Sequence, residues 1–189
     1  LAATHQILDL QHAAHRFIGL RQLCLRNTSV DLQPEQLAVL LRTATSLRAL
    51  HALCLDGCGL RSSGVSTLAA ALAASSHLIN LRTLDLSHNQ IGNVGMRQLS
   101  QALKVASHLQ QLSELRLASN TIGASGVAAL AQALYISNHL SSLRLLDLSR
   151  NDIRDEGARH LAAVLSNSSC TCCAIASIPA LYEQHMQHG

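Results

Sequence analysis

Residues Leu81 to Ile91 read Leu-Arg-Thr-Leu-Asp-Leu-Ser-His-Asn-Gln-Ile, and this stretch recurs. Leu112 to Ile122 reads LSELRLASNTI and Leu143 to Ile153 reads LRLLDLSRNDI. Two weaker copies precede them, LHALCLDGCGL from Leu50 to Leu60 and LRQLCLRNTSV from Leu20 to Val30. The first leucines stand at 20, 50, 81, 112 and 143, a period of 30 followed by three of 31. Self-similarity at one fixed period predicts a stack of identical units, each covering the open face of its neighbour.

Leu84 and Leu86 lie two apart, so a strand turns both to one face and leaves Thr83, Asp85 and Ser87 on the other. Asn89 follows where the chain must turn, and its amide can satisfy turn backbone that water does not reach. Asn120 and Asn151 repeat that slot; Cys58 and Thr28 fill it in the first two copies. Ile91, Ile122 and Ile153 return the chain to the interior. A helix is then predicted. Ser62, Asn93 and Asp155 stand where an N-cap belongs, with Ser125 for the fourth copy. Gly64, Gly95, Gly126 and Gly157 mark points of close backbone approach. Val65, Leu68, Ala69 and Leu72 fall at helical spacing, and the later copies repeat them.

The pattern LxxLxLxxN/CxI followed by GxxxLAxAL resembles the ribonuclease-inhibitor-like class of leucine-rich repeats. The resemblance runs from residue 20 to about 165. It implies an α/β solenoid, curved, with parallel strands on the concave face and helices on the convex face. The period exceeds the usual 20–29 residues. The excess lies at the helix exit, where Leu78, Leu109 and Leu140 read as an added buried rung and His77, His108 and His139 as solvent-facing.

Three segments are expected: a half-repeat over 1–19 continuing an N-terminal repeat or domain, five repeats over 20–169, and a C-terminal cap over 170–189. Residues 1–19 carry the stripe Ile7, Leu10, Ala14 and Phe17 without a polar outer side. The first repeat slips by one residue, with Pro34 at the first turn of its helix and Leu37, Leu40, Leu41 and Leu47 behind it. A net charge of +3 is too mild to argue for nucleic acid. No run approaches the roughly 18 apolar residues of a membrane span. Six cysteines without secretory features fit a reducing, cytoplasmic setting.

Chemistry finds little to use. Cys170-x2-Cys173-x11-His185-x2-His188 comes near a Cys2His2 zinc spacing, but the histidine pair is too tight, and a tail folded over the last repeat explains the same residues. Cys24 and Cys54 sit at equivalent strand positions, expected as reduced thiols. Asp85, Arg116 and Asp147 alternate in sign and read as a charge ladder across the sheet. No catalytic residue, metal or cofactor is expected.

What remains is a surface for a protein partner. The candidate contacts are Arg26, Asp56, Asp85, Ser87, His88, Glu114, Arg116, Leu145, Asp147, Arg150 and Asp152. Asn89, Asn120 and Asn151 are assigned to structure instead. The resemblance implies a non-catalytic interaction module, scaffold or recognition segment of a larger intracellular protein or assembly, as in the repeat domains of NOD-like receptors and of ribonuclease inhibitor. Its partners would be other domains of the same chain or subunits of a complex, with neither nucleic acid nor membrane. By similarity to the Ran GTPase-activating protein, the alternative is a regulator of a small GTPase.

Overall fold

A computed structural model of the chain describes residues 19–27 and 33–166. The half-repeat stripe over 1–18, the Thr28 turn position and the 170–189 cap with Cys170, Cys173, His185 and His188 lie outside the described residues.

Strands and helices alternate. The strands are β1 Gln22–Cys24, β2 Ala52–Cys54, β3 Thr83–Asp85, β4 Glu114–Arg116 and β5 Leu145–Asp147. The helices are α1 Pro34–Thr43, α2 Arg61–Ala74, α3 Gly92–Val105, α4 Ala124–Ile136 and α5 Arg154–Leu165. All five strands pair in parallel in chain order, so Leu23, Leu53, Leu84, Leu115 and Leu146 line up across the sheet. The ladder continues past each strand, with Leu55 N–H on the Asp85 carbonyl at 2.8 Å and Leu86 N–H on the Arg116 carbonyl at 2.9 Å. Parallel strands stack about 4.8 Å apart, while helix axes need about 8–10 Å. The helical side is therefore the longer arc.

The interior is leucine laid on leucine. Leu84, Leu86, Leu115, Leu117, Leu146 and Leu148 are fully buried, and the helices add Leu68, Leu72, Leu99, Leu103, Leu130 and Leu134. Leu78, Leu109 and Leu140 form the expected extra rung, at most 1 % exposed. Pro34 opens α1 at its first turn, where a missing N–H costs nothing. The recurring glycines fit their predicted purpose. A Cβ on Gly95 would stand 3.1 Å from Ser62 Cα of the preceding helix and 2.8 Å from Ile91 Cγ2.

The helix starts differ from expectation. The helices begin at Arg61, Gly92, Ala124 and Arg154, so Ser62, Asn93, Ser125 and Asp155 already lie in the first turn and cap nothing in their own helix. The first amides find acceptors on the next repeat: Arg61 N–H meets the Asn89 carbonyl at 2.8 Å and Gly92 N–H the Asn120 carbonyl at 2.9 Å. Asn93 caps the following helix instead. Its Oδ1 accepts from Gly123 N at 2.8 Å and Gly126 N at 2.9 Å, meeting two amide donors at the start of α4.

The histidines are also placed differently. His77 is 7 % exposed, and His108 and His139 are half-buried between helix exits. His139 Nε2 lies 2.9 Å from the Leu103 carbonyl in the last turn of α3. Burial first, then the neighbouring His139 and His77, push His108 below its ordinary pKa against an upward pull from the Leu72 carbonyl.

Candidate interaction surface

The strand face is organised by what holds its turns. Asn89 is fully buried, and its amide nitrogen reaches the carbonyls of Leu55 at 2.7 Å, Leu86 at 2.9 Å and Ser87 at 2.9 Å. Its Oδ1 accepts from Leu60 N at 3.2 Å. Asn120 and Asn151 make the same set one and two repeats on, and each also accepts the backbone N–H of the asparagine before it, at 2.8 and 3.0 Å. Cys58 holds the slot more weakly: its thiol donates to the Leu25 and Asp56 carbonyls.

This ladder fixes a demanding backbone. His88, Gln90, Ser119, Thr121 and Arg150 all have φ between 54° and 56°, the left-handed region, whereas the second repeat has Gly57 and Gly59 at the matching places. Such residues cost on the order of 1–3 kcal/mol each and persist where surrounding bonds over-determine them.

The candidate contacts divide by exposure. Arg26, His88, Arg150 and Asp152 are exposed; Asp56, Glu114, Arg116, Leu145 and Asp147 are partly so. Asp85 and Ser87 are only 5 % and 7 % exposed and offer a partner almost nothing. The expectation that the Asp85 side chain stands out in solvent is thus corrected. Neighbouring strands crowd the inner side of the arc, and Asp85 Oδ1 turns onto Ser87 N at 3.1 Å.

No charge ladder links Asp85, Arg116 and Asp147. Arg116 Nη2 pairs with Glu114 on its own strand at 2.8 Å. Asp147 Oδ1 accepts from Ser149 N at 3.0 Å and Ser149 Oγ at 2.7 Å, closing its own turn as short carboxylates do. Arg26 reaches Asp85 at 3.9 Å, and His88 Nδ1 lies 2.8 Å from Asp56 Oδ1 of the preceding repeat. Asp152 and Arg154 pair at 3.1 Å, which raises the Arg154 pKa. Cys24 and Cys54 are register partners and free thiols. Burial first, then the adjacent Cys24, pushes Cys54 up to about 11, so it is a poor nucleophile.

The result is a row of side chains at strand spacing, open to solvent along one face. Glu114 stands beside Leu145 and Arg116 beside Asp147 on the adjacent strands β4 and β5. Sequence reasoning passed over two features: the cross-repeat cap made by Asn93, and the opposite edge of the sheet, where Arg21, Arg82 and Arg144 recur directly before the strands. That recurrence was visible in the period itself.

Comparison with known proteins bears on the fold. A leucine-rich-repeat family model matches residues 77–100, 108–131 and 139–162. No curated protein matches the chain. Among solved structures, the tropomodulin C-terminal domain from Caenorhabditis elegans is similar at a TM-score of 0.58 and 15 % identity, covering 82 % of this chain and 90 % of that one. Leiomodin-1 actin-binding site 2 is similar at a TM-score of 0.53 and 13 % identity, covering 94 % and 90 %. Residues 77–162 therefore carry three leucine-rich repeats, within an α/β solenoid of parallel strands and helices.

Proposed function

We propose that this chain is a non-catalytic protein-binding module, a scaffold or recognition segment within a larger cytoplasmic assembly. The observation that carries the reading is the five-stranded face, whose outward side chains are spread in rows at strand spacing instead of gathered in a cleft. Partners on this reading are proteins, either other domains of the same chain or subunits of a complex. Nucleic acid and membrane have no part in it, and among the described residues no helix is long and apolar enough to cross a membrane. The chain divides, on the same reading, into a half-repeat over 1–19, five repeats over 20–169 and a cap over 170–189.

The contact residues are Arg26, Asp56, His88, Glu114, Arg116, Leu145, Asp147, Arg150 and Asp152. Protein interfaces are enriched in arginine near their energetic centre, which favours Arg116 and Arg150. The same fold in leiomodin-1 bears an actin-binding site, so actin is the first partner to try. Co-sedimentation of this chain with filamentous actin, compared with an Arg116→Glu/Arg150→Glu variant of unchanged circular dichroism, tests the reading. Binding that the double variant loses supports it. Equal sedimentation of both proteins removes the strand face from consideration, and no sedimentation removes actin.

A further inference from the structure

The carboxylates of the described residues keep to one side of the solenoid, whereas the cations occur on both. Among the described residues every carboxylate lies on the strand face or at the helix starts, among them Glu35, Asp56, Asp152, Asp155 and Glu156. The other edge, built from helix exits and strand entries, holds none. It carries Arg21, Arg42, Arg48, Arg82, Lys104 and Arg144, all exposed. The nearest carboxylate, Glu114, is paired with Arg116.

Cations at helix ends are expected, since a helix C-terminus carries about −0.5 charge. Five helices end on this edge, so their ends together amount to about −2.5. Six full positive charges exceed that, and the edge stays cationic.

The same edge is also greasy. Of six large apolar side chains exposed among the described residues, four lie here: Ile79 at 44 %, Val105 at 55 %, Tyr135 at 50 % and Ile136 at 45 %. Val105 and Ile136 close adjacent helices, and Tyr135 is the aromatic residue of the described region. Tyr and Arg are the residue types that dominate binding energy at protein interfaces. The hydroxyls of Ser46, Ser75 and Ser137 and Nε2 of His77 are buried without a hydrogen-bond partner, and all four belong to the helix-exit loops of this edge.

The spacing says what would fit. Arg21, His51, Arg82, Ser113 and Arg144 are consecutive in a lateral backbone ladder with bonds of 2.7–2.8 Å. At about 4.8 Å per strand, Arg21, Arg82 and Arg144 stand about 10 Å apart. A duplex nucleic acid presents a charge every ~1.7 Å, far denser than this row. An extended peptide covers about 10 Å in three residues, which matches carboxylates spaced with apolar residues between them. We propose that this edge docks an extended acidic protein segment with apolar side chains among its carboxylates. This assignment rests on the protein-binding reading and adds a second face to it.

Fluorescence anisotropy with a labelled twelve-residue peptide, glutamate at every third position with leucine and phenylalanine between, tests the proposal. The probe binds the parent chain, weakens with added salt, and loses about tenfold or more in affinity with Arg82→Glu/Lys104→Glu and with Tyr135→Ala. These side chains are exposed and leave the melting temperature unchanged. A lysine-for-glutamate peptide and an all-glutamate peptide bind at least tenfold more weakly. No binding of the probe, equal binding by the edge variants, or tighter binding of a 20-base-pair DNA duplex or of phosphatidylserine vesicles overturns the assignment. Retained actin binding by the edge variants, with loss in Arg116→Glu/Arg150→Glu, leaves the strand-face reading standing whichever way the peptide result falls.

Discussion

Replacing Asn120 with alanine probes the lateral amide ladder directly. Asn120 is fully buried; its amide donates to the Leu86, Leu117 and Ala118 carbonyls at 2.9, 3.0 and 3.1 Å and accepts from Asn89 N at 2.8 Å. Alanine strands the N–H groups of Asn89 and Ile91 where water does not reach, while the three carbonyls keep Asn89 Nδ2, Asn151 Nδ2 and His88 N–H as donors. Each orphaned buried group costs about 1–3 kcal/mol. The Asn89 and Ile91 N–H groups therefore come to about 2–6 kcal/mol, a large part of the roughly 5–15 kcal/mol a domain commands. Urea unfolding followed by circular dichroism at pH 7 reads the loss as a lower midpoint at unchanged slope. Asn151→Ala, at a half-buried position in the same ladder, loses less. A loss at Asn120 below about 1 kcal/mol, or one equal to that at Asn151, would refute the claim that these amides hold the turns.

Four further outcomes are expected. Leu84→Asp places a charge in a fully buried layer and abolishes the cooperative thermal transition. Gly95→Ala destabilises by about 1–3 kcal/mol through overpacking against Ser62 Cα at 3.1 Å, overriding the ~1 kcal/mol alanine gains in a free helix; a raised midpoint in urea would contradict the close approach. Asp85→Ala leaves the fold intact but lowers stability by about 1 kcal/mol as the Ser87 N–H loses its acceptor. His108 has a folded-state pKa depressed below 6.5, so the unfolded chain takes up its proton first. Its contribution is then complete above pH 6.5 and is lost as pH falls through the depressed value. A His108→Gln variant should show a flatter fall of melting temperature from pH 8 to pH 5 than the parent, and an identical fall in both would exclude His108 as a cause.

Much of the fold is legible because repetition multiplies the signal. Five leucine rows, the asparagine slot and the helix-to-helix glycines each appear several times at one period, and the structure places all three as expected. What the period hides is lateral. Asp85 reads as outward by strand alternation, and it does leave the leucine core, yet strands packed about 4.8 Å apart on the inner arc cover it. Asn93 reads as the cap of its own helix because sequence shows only neighbours along the chain; its partner at Gly123 is 30 residues away. The histidines read as polar helix ends, but the added Leu78 rung draws His77 in with it. For the surface itself, the period marked which residues face outward and left open which are free. The ion pairs of Arg116 with Glu114 and of His88 with Asp56 depend on rotamers that no spacing rule specifies.

The buried amides have a handedness along the array. Leu60, Asn89 and Asn120 each present a backbone N–H to the asparagine one unit further on, never to the one before. Each bend is clamped from its C-terminal side, so clipping the stack at its far end loosens the unit left exposed, whereas clipping at the front leaves the next bend still gripped. Fraying of these bends therefore runs backward from the C-terminal side, while the grip of Asn93 on the start of α4 acts in the opposite sense.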